Sequence, residues 1–174
     1  NLFSIGLDGN GKKLLTENGD NNVNFSEGFQ YYINTHSAAN EPSEAALYKS
    51  YGEKIRVLEG NSGLKNTIND YDISNKEFFK FTTSENVELN GWMIKPSDFI
   101  AGKKYPVLMF VYGGPGAQTV LNQWDGRNYF WYQMLAQNGY VIVSVDNRGT
   151  GARGADFKKC TYKELGKLET FDQI

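Results

Sequence analysis

The chain has 174 residues, enough for one ordinary domain or two small ones. Its 18 basic and 20 acidic side chains give a formal charge of −2, which argues against a nucleic-acid partner. Apolar residues at 40% and aromatics at 14% supply a core and exclude disorder, and no apolar run nears the roughly 20 residues that span a bilayer. Cys160 is the only cysteine and His36 the only histidine. An internal disulfide is therefore excluded, a zinc site lacks ligands, and no metal or cofactor is expected. Asn1 to Gly6 reads as folded strand, with no initiating Met, basic segment or apolar leader. The expectation is a piece of a longer protein.

Residues 1–59 read as short β runs separated by turn chemistry. Leu2 to Leu7 alternates apolar and small residues, Asp8-Gly9-Asn10-Gly11 tolerates positive φ, and Lys12 to Thr16 leads back. Val23–Phe25 and Phe29–Thr35 flank Ser26-Glu27-Gly28, and Ala45–Ser50 and Lys54–Leu58 flank Tyr51-Gly52-Glu53. Pro42, inside the polar stretch Ala38 to Glu44, predicts a loop between these two pairs. Such spacing fits a meander, a sandwich edge or a propeller blade.

Gly60 to Gly63 punctuates the joint, and Leu64 to Asp72 predicts a short helix with Leu64, Ile68 and Tyr71 on one side. Phe78–Thr83 and Glu88–Lys95 predict an antiparallel pair around Ser84-Glu85-Asn86. Pro106 to Tyr112 is continuously apolar, the pattern of a strand covered on both faces. Residues 128–138 place Phe130, Trp131, Met134 and Leu135 at helical spacing, closed by Gly139, and Tyr140–Val145 predicts another buried strand. Strand, helix, strand implies a βαβ unit with a parallel sheet. Lys163 to Ile174 opens a further helix, whereas Ala155 to Lys159 is too polar for one packed along a sheet.

Two glycine loops could carry chemistry. Tyr112-Gly113-Gly114-Pro115-Gly116-Ala117-Gln118 follows the first apolar strand, and adjacent glycines let backbone N–H groups approach an anion or oxyanion. A tight turn without a ligand is the plain alternative. Gly149-Thr150-Gly151-Ala152-Arg153-Gly154 is a literal G-x-G-x-x-G, which would suggest a dinucleotide-binding enzyme, but no further strand follows it. A third reading is a non-catalytic β-rich interaction module in residues 1–59. No Gly-x-Ser-x-Gly occurs in the 174 residues. His36, beside a polar loop, reads as a surface or structural histidine, and Cys160 as an ordinary unpaired thiol despite Lys158 and Lys159.

Lys103-Lys104-Tyr105-Pro106-Val107-Leu108, the Tyr112–Gln118 loop, Asp146-Asn147-Arg148-Gly149-Thr150-Gly151 and Leu168-Glu169-Thr170-Phe171-Asp172-Gln173-Ile174 closely resemble the prolyl oligopeptidase family of serine peptidases. The resemblance covers nearly the whole chain. It implies a mixed fold: residues 1–59 as the last blade of a β-propeller, and residues 60–174 as the N-terminal portion of an α/β-hydrolase domain with a partly parallel sheet. It further implies a serine-type peptidase removing X-Pro and X-Ala dipeptides from peptide N-termini. Tyr112 matches the tyrosine that completes the oxyanion hole, and Gln118 a glutamine of the substrate pocket, while Asp146 and Arg148 match scaffold. The serine nucleophile, its acid and its histidine match nothing in these residues, so the chain alone is expected to be inactive. The expected partners are peptide substrates and a second copy meeting an open sheet edge at Pro106–Tyr112, with no nucleic acid and no membrane span. The resemblance implies a periplasmic, secreted or cell-envelope location.

Overall fold

Turn residues set the local structure in the computed structural model, which describes residues 1–174. The backbone divides into two compact units, residues 1–72 with 122–129, and residues 73–121 with 130–174.

In the first unit β1 (Phe3–Ser4) and β2 (Lys13–Leu14) pair antiparallel. Asp8 closes their connection by accepting the Asn10 backbone N–H at 3.0 Å, and Gly9 and Gly11 take φ of 81° and 67°. Strands β3 (Asp20–Phe25), β4 (Tyr31–Ala38), β5 (Glu41–Lys49) and β6 (Lys54–Glu59) form a four-stranded antiparallel sheet in chain order. Tyr32, Ala46 and Tyr48 make its core, the two tyrosine rings stacked at 5.0 Å.

Pro42 is not in a loop. It is a buried residue of β5, and the turn shrinks to Ala39-Asn40. The β4–β5 register shifts between His36 and Ala38, and β6 pairs with β5 only from Ala45 onward. A residue without an N–H therefore costs no ladder hydrogen bond there. Helix α1 (Ser62–Asn69) is shorter than its sequence pattern, and Tyr71 lies beyond it, 62% exposed.

The second unit holds a mixed sheet in the order β7-β8-β10-β9, from β7 (Lys76–Thr82), β8 (Glu88–Ile94), β9 (Val107–Met109) and β10 (Val141–Asp146). Its pairs are antiparallel except β9 with β10, which is parallel, as a strand–helix–strand connection requires. Trp92, Ile94, Tyr132, Ala136 and Ile142 form the core beneath it.

Two expectations are corrected here. The apolar run 106–112 yields only a three-residue edge strand, and Val107 and Val111 are 61% and 47% exposed. No strand of the chain pairs with its outer side. Helix α2 (Arg127–Gln137) buries Tyr129, Tyr132, Gln133 and Ala136, leaving Phe130, Trp131 and Met134 exposed. Gln133 can be buried because its amide exchanges two hydrogen bonds with the backbone of Ser74. Gly139, at φ 84°, ends the helix as read. Ala155–Lys159 forms a one-turn helix, α3, with no buried residue, in keeping with a sequence too polar to pack along a sheet. Helix α4 (Lys167–Gln173) follows. No helix is long and apolar enough to cross a membrane.

Candidate active site

The chain leaves the sheet after β9 and comes back to it at Thr119, and both points are tied to β10. Phe110 extends the ladder by donating its N–H to the Val143 carbonyl at 2.8 Å. Its own carbonyl accepts the Ser144 hydroxyl at 2.7 Å. At the far end, Asp146 Oδ1 accepts the N–H groups of Thr119 at 2.7 Å and Val120 at 3.2 Å. The Trp92 indole N–H donates to the Thr119 carbonyl at 2.9 Å. Ser144 and Asp146 are buried, so these bonds also satisfy polar groups withdrawn from water.

Between the anchors the loop is glycine-rich and carries both residues read as functional. Tyr112 is 62% exposed. Its ring folds over the backbone at Gly114, where a Cβ would lie 2.8 Å from Tyr112 Cε1, so a side chain there would push the ring aside. Gln118 is half-buried, one residue before the second anchor. Gly116 donates its N–H to the Gly149 carbonyl at 3.2 Å, and the Asn147 amide donates to the Gly113 carbonyl at 3.4 Å. A phenolic O–H presented to solvent at the carboxyl end of a parallel strand can donate to an oxygen as negative charge builds on it.

A second anchor group lies behind β10. Arg148 donates through Nε to both Asp172 carboxylate oxygens at 3.0 and 3.1 Å and pairs Nη2 with Oδ1 at 2.8 Å. Its backbone N–H donates to Oδ2 at 2.6 Å, and Nη1 pairs with Glu85. The Asp172 hydrogen bonds raise the Arg148 pKa above its ordinary value. Gln173 of α4 donates to the Val145 carbonyl and to Asn147 Oδ1, both at 3.0 Å. Beside it, Val111, Gly113, Glu169, Thr170, Gln173 and Ile174 line an open cavity of about 410 Å³.

The second glycine loop has an internal explanation. Gly149 sits at φ 94°, and a Cβ there would meet Thr161 Oγ1 at 2.9 Å. The backbone approach that a pyrophosphate would need is thus taken by the protein's own side chain. Arg153 covers the Phe157 ring at 4.1 Å and donates to the Glu88 carbonyl at 2.6 Å. His36 Nε2 donates to the Asn18 carbonyl at 3.1 Å. The exposed Cys160 thiol donates to the Phe157 carbonyl at 3.0 Å.

Residues 128–174 match the model of the prolyl oligopeptidase family. Across 155 residues, 87% of this chain, the sequence is 36% identical to a probable dipeptidyl peptidase 4 of Emericella nidulans, covering 20% of that protein. Residues 128–174 are thus similar to the prolyl oligopeptidase family, and the chain over most of its length to dipeptidyl peptidases. It is also 34% identical over 154 residues to dipeptidyl peptidase 8 of Homo sapiens, covering 86% of this chain and 17% of that one. The crystal structure of Porphyromonas gingivalis dipeptidyl peptidase 4 superposes with a TM-score of 0.91 at 42% identity, over 98% of this chain and 24% of that chain. The chain spans about a fifth of the length of the curated relatives it matches.

The glycine loop is legible in the sequence, but the groups that hold it, Ser144, Thr119 and Asp146, are not, and the family resemblance marks Asp146 and Arg148 only as scaffold. One signal was present: Ser144 and Asp146 interrupt an apolar central strand, and buried polar groups in such a strand need partners.

Proposed function

We propose that these residues are part of a serine-type dipeptidyl peptidase that removes X-Pro and X-Ala dipeptides from peptide N-termini. Tyr112 completes the oxyanion hole, and Gln118 lines the same substrate pocket. The observation that carries this reading is the solvent-facing Tyr112 phenol, on a loop fixed to β10 at both ends. As a hydroxyl attacks the scissile carbonyl, the carbonyl oxygen becomes negative, and the phenol donates a hydrogen bond to it without giving up its proton. The nucleophile, acid and histidine of that chemistry come from outside these 174 residues, so the chain alone turns over no substrate.

On the same reading, β3–β6 is a propeller blade within a 1–59 domain portion, supported by its four-stranded antiparallel order. Residues 60–174 are the N-terminal portion of an α/β-hydrolase domain, supported by the parallel β9–β10 pair. The open side of β9 is where a second copy meets the chain. The family resemblance also supports a periplasmic, secreted or cell-envelope location, which cell fractionation would test.

The deciding experiment is Tyr112→Phe in the full-length peptidase, assayed on an X-Pro-anilide. Loss of one oxyanion donor lowers kcat by about 10²–10³-fold, with little change in KM. An unchanged kcat overturns the assignment.

A further inference from the structure

The glycine loop is long enough, and rich enough in glycine, that its own backbone does little to fix Tyr112. Gly113, Gly114 and Gly116 lie within five residues of the tyrosine, and each carries the widest conformational freedom. Inside the loop only two hydrogen bonds reach other segments, at 3.2 and 3.4 Å. Precision at Tyr112 must therefore come from the base of the loop.

That base is closed by two hydroxyls. Ser144 Oγ lies 2.7 Å from the Phe110 carbonyl and 2.8 Å from Thr119 Oγ1. A carbonyl can only accept, so the single Ser144 proton goes to Phe110, and Ser144 must accept from Thr119. The Thr119 hydroxyl also donates to Asp146 Oδ1 at 3.1 Å, so its one proton is shared between Ser144 and a carboxylate oxygen that already takes the Thr119 and Val120 N–H groups. The result is a directed chain, Thr119 to Ser144 to Phe110, joining the two ends of the loop across β10. Ser144 is fully buried, so no water competes for these bonds. Tyr112 is two residues from Phe110, inside the noose that the hydroxyls draw shut.

We infer that the Thr119–Ser144 hydroxyl pair, backed by Asp146, is the positioning element that fixes Tyr112 for catalysis. The inference rests on reading Tyr112 as the oxyanion donor. The pair touches no reacting atom; it acts through the tyrosine. Its loss lets the phenol wander, which weakens a contact made only in the transition state and so lowers kcat rather than raising KM.

The test is a double-mutant cycle in the full-length peptidase. Thr119→Val, near-isosteric but without the hydroxyl, lowers kcat by about 10–100-fold with KM little changed. Thr119→Ser restores most of that loss because it keeps the donor. In a Tyr112→Phe background, Thr119→Val changes kcat by no more than about twofold, since the group it positions is already gone. An equal fold-loss in both backgrounds, or a wild-type kcat for Thr119→Val alone, overturns the inference and leaves the Tyr112 assignment standing. A Tyr112→Phe enzyme with unchanged kcat removes the assignment itself. If Thr119→Val does not fold, Ser144→Ala is carried through the same cycle with the same expected and overturning outcomes.

Discussion

Arg148 and Asp172 meet as a bidentate pair in which the aspartate side chain has no solvent exposure and the arginine side chain only 11%. The arginine's own backbone N–H adds a further bond to the same carboxylate, so the turn after β10 and helix α4 share one charge-assisted knot. Removing one partner strands the other in a low-dielectric site. Arg148→Met is expected to destabilise the chain by about 3–5 kcal/mol. The Arg148→Met, Asp172→Leu double variant is expected to lose less than the sum of its singles. Urea unfolding midpoints read both, and additive losses would show that the two side chains do not act as a pair.

Gly91 sits opposite Phe79 in the β7–β8 ladder, and the phenyl ring occupies the space above it. A Cβ at Gly91 would come 2.3 Å from Phe79 Cζ, far inside any real contact. Gly91→Ala is therefore expected to cost about 1–3 kcal/mol through overpacking. Phe79→Leu in the same molecule should recover part of that loss by vacating the ring's position. Thermal or urea denaturation checks it, and a neutral Gly91→Ala would mean the ring moves aside freely.

What could be read from residues alone divides along a physical line. Turns announced themselves because Asp8-Gly9-Asn10-Gly11 and Gly139 state a backbone requirement locally. Pro42 misled because its missing N–H matters only if a partner strand asks for it, and β6 pairs with β5 only from Ala45 onward. The α2 face was misjudged because Phe130, Trp131 and Met134 outrank Tyr132 and Gln133 in apolarity, while Ser74 satisfies Gln133 from a distant part of the sequence. For the site, the loop and Tyr112 were legible as glycine chemistry. Its supports were not, since Ser144 and Asp146 acquire meaning only from Phe110 and Thr119 lying across from them.

Glu44 and Lys54 form a half-exposed pair across β5 and β6. The hydrogen bond from Lys54 holds the Glu44 carboxyl below its ordinary value of 4.5. Reciprocally, the bond to Glu44 raises Lys54 above 10.5. The Glu44 contribution is therefore complete above its unfolded pKa and is lost as pH falls through the lower folded value. The Lys54 contribution is complete below its unfolded pKa and is lost as pH rises through the higher folded one. Exposure limits the pair to roughly 0.2–1 kcal/mol. Glu44→Gln should be less stable than the parent by that amount at neutral pH, and the two stability curves should converge in acid. A constant gap down to the acid limit would show that the carboxylate's charge plays no part.

Strand β9 ends the sheet with its outer backbone groups unpaired and Val107 61% exposed. An edge of this kind templates another strand, and natural edges are blunted by charge, which Val107, Leu108 and Met109 do not supply. The chain is accordingly expected to self-associate through β9. Val107→Lys places a charge on the edge without touching the buried side of the sheet, and it should shift the population toward monomer. Light scattering after size exclusion, run over a range of concentrations, separates the outcomes. A parent chain that stays monomeric at every concentration would show that the edge recruits no second copy.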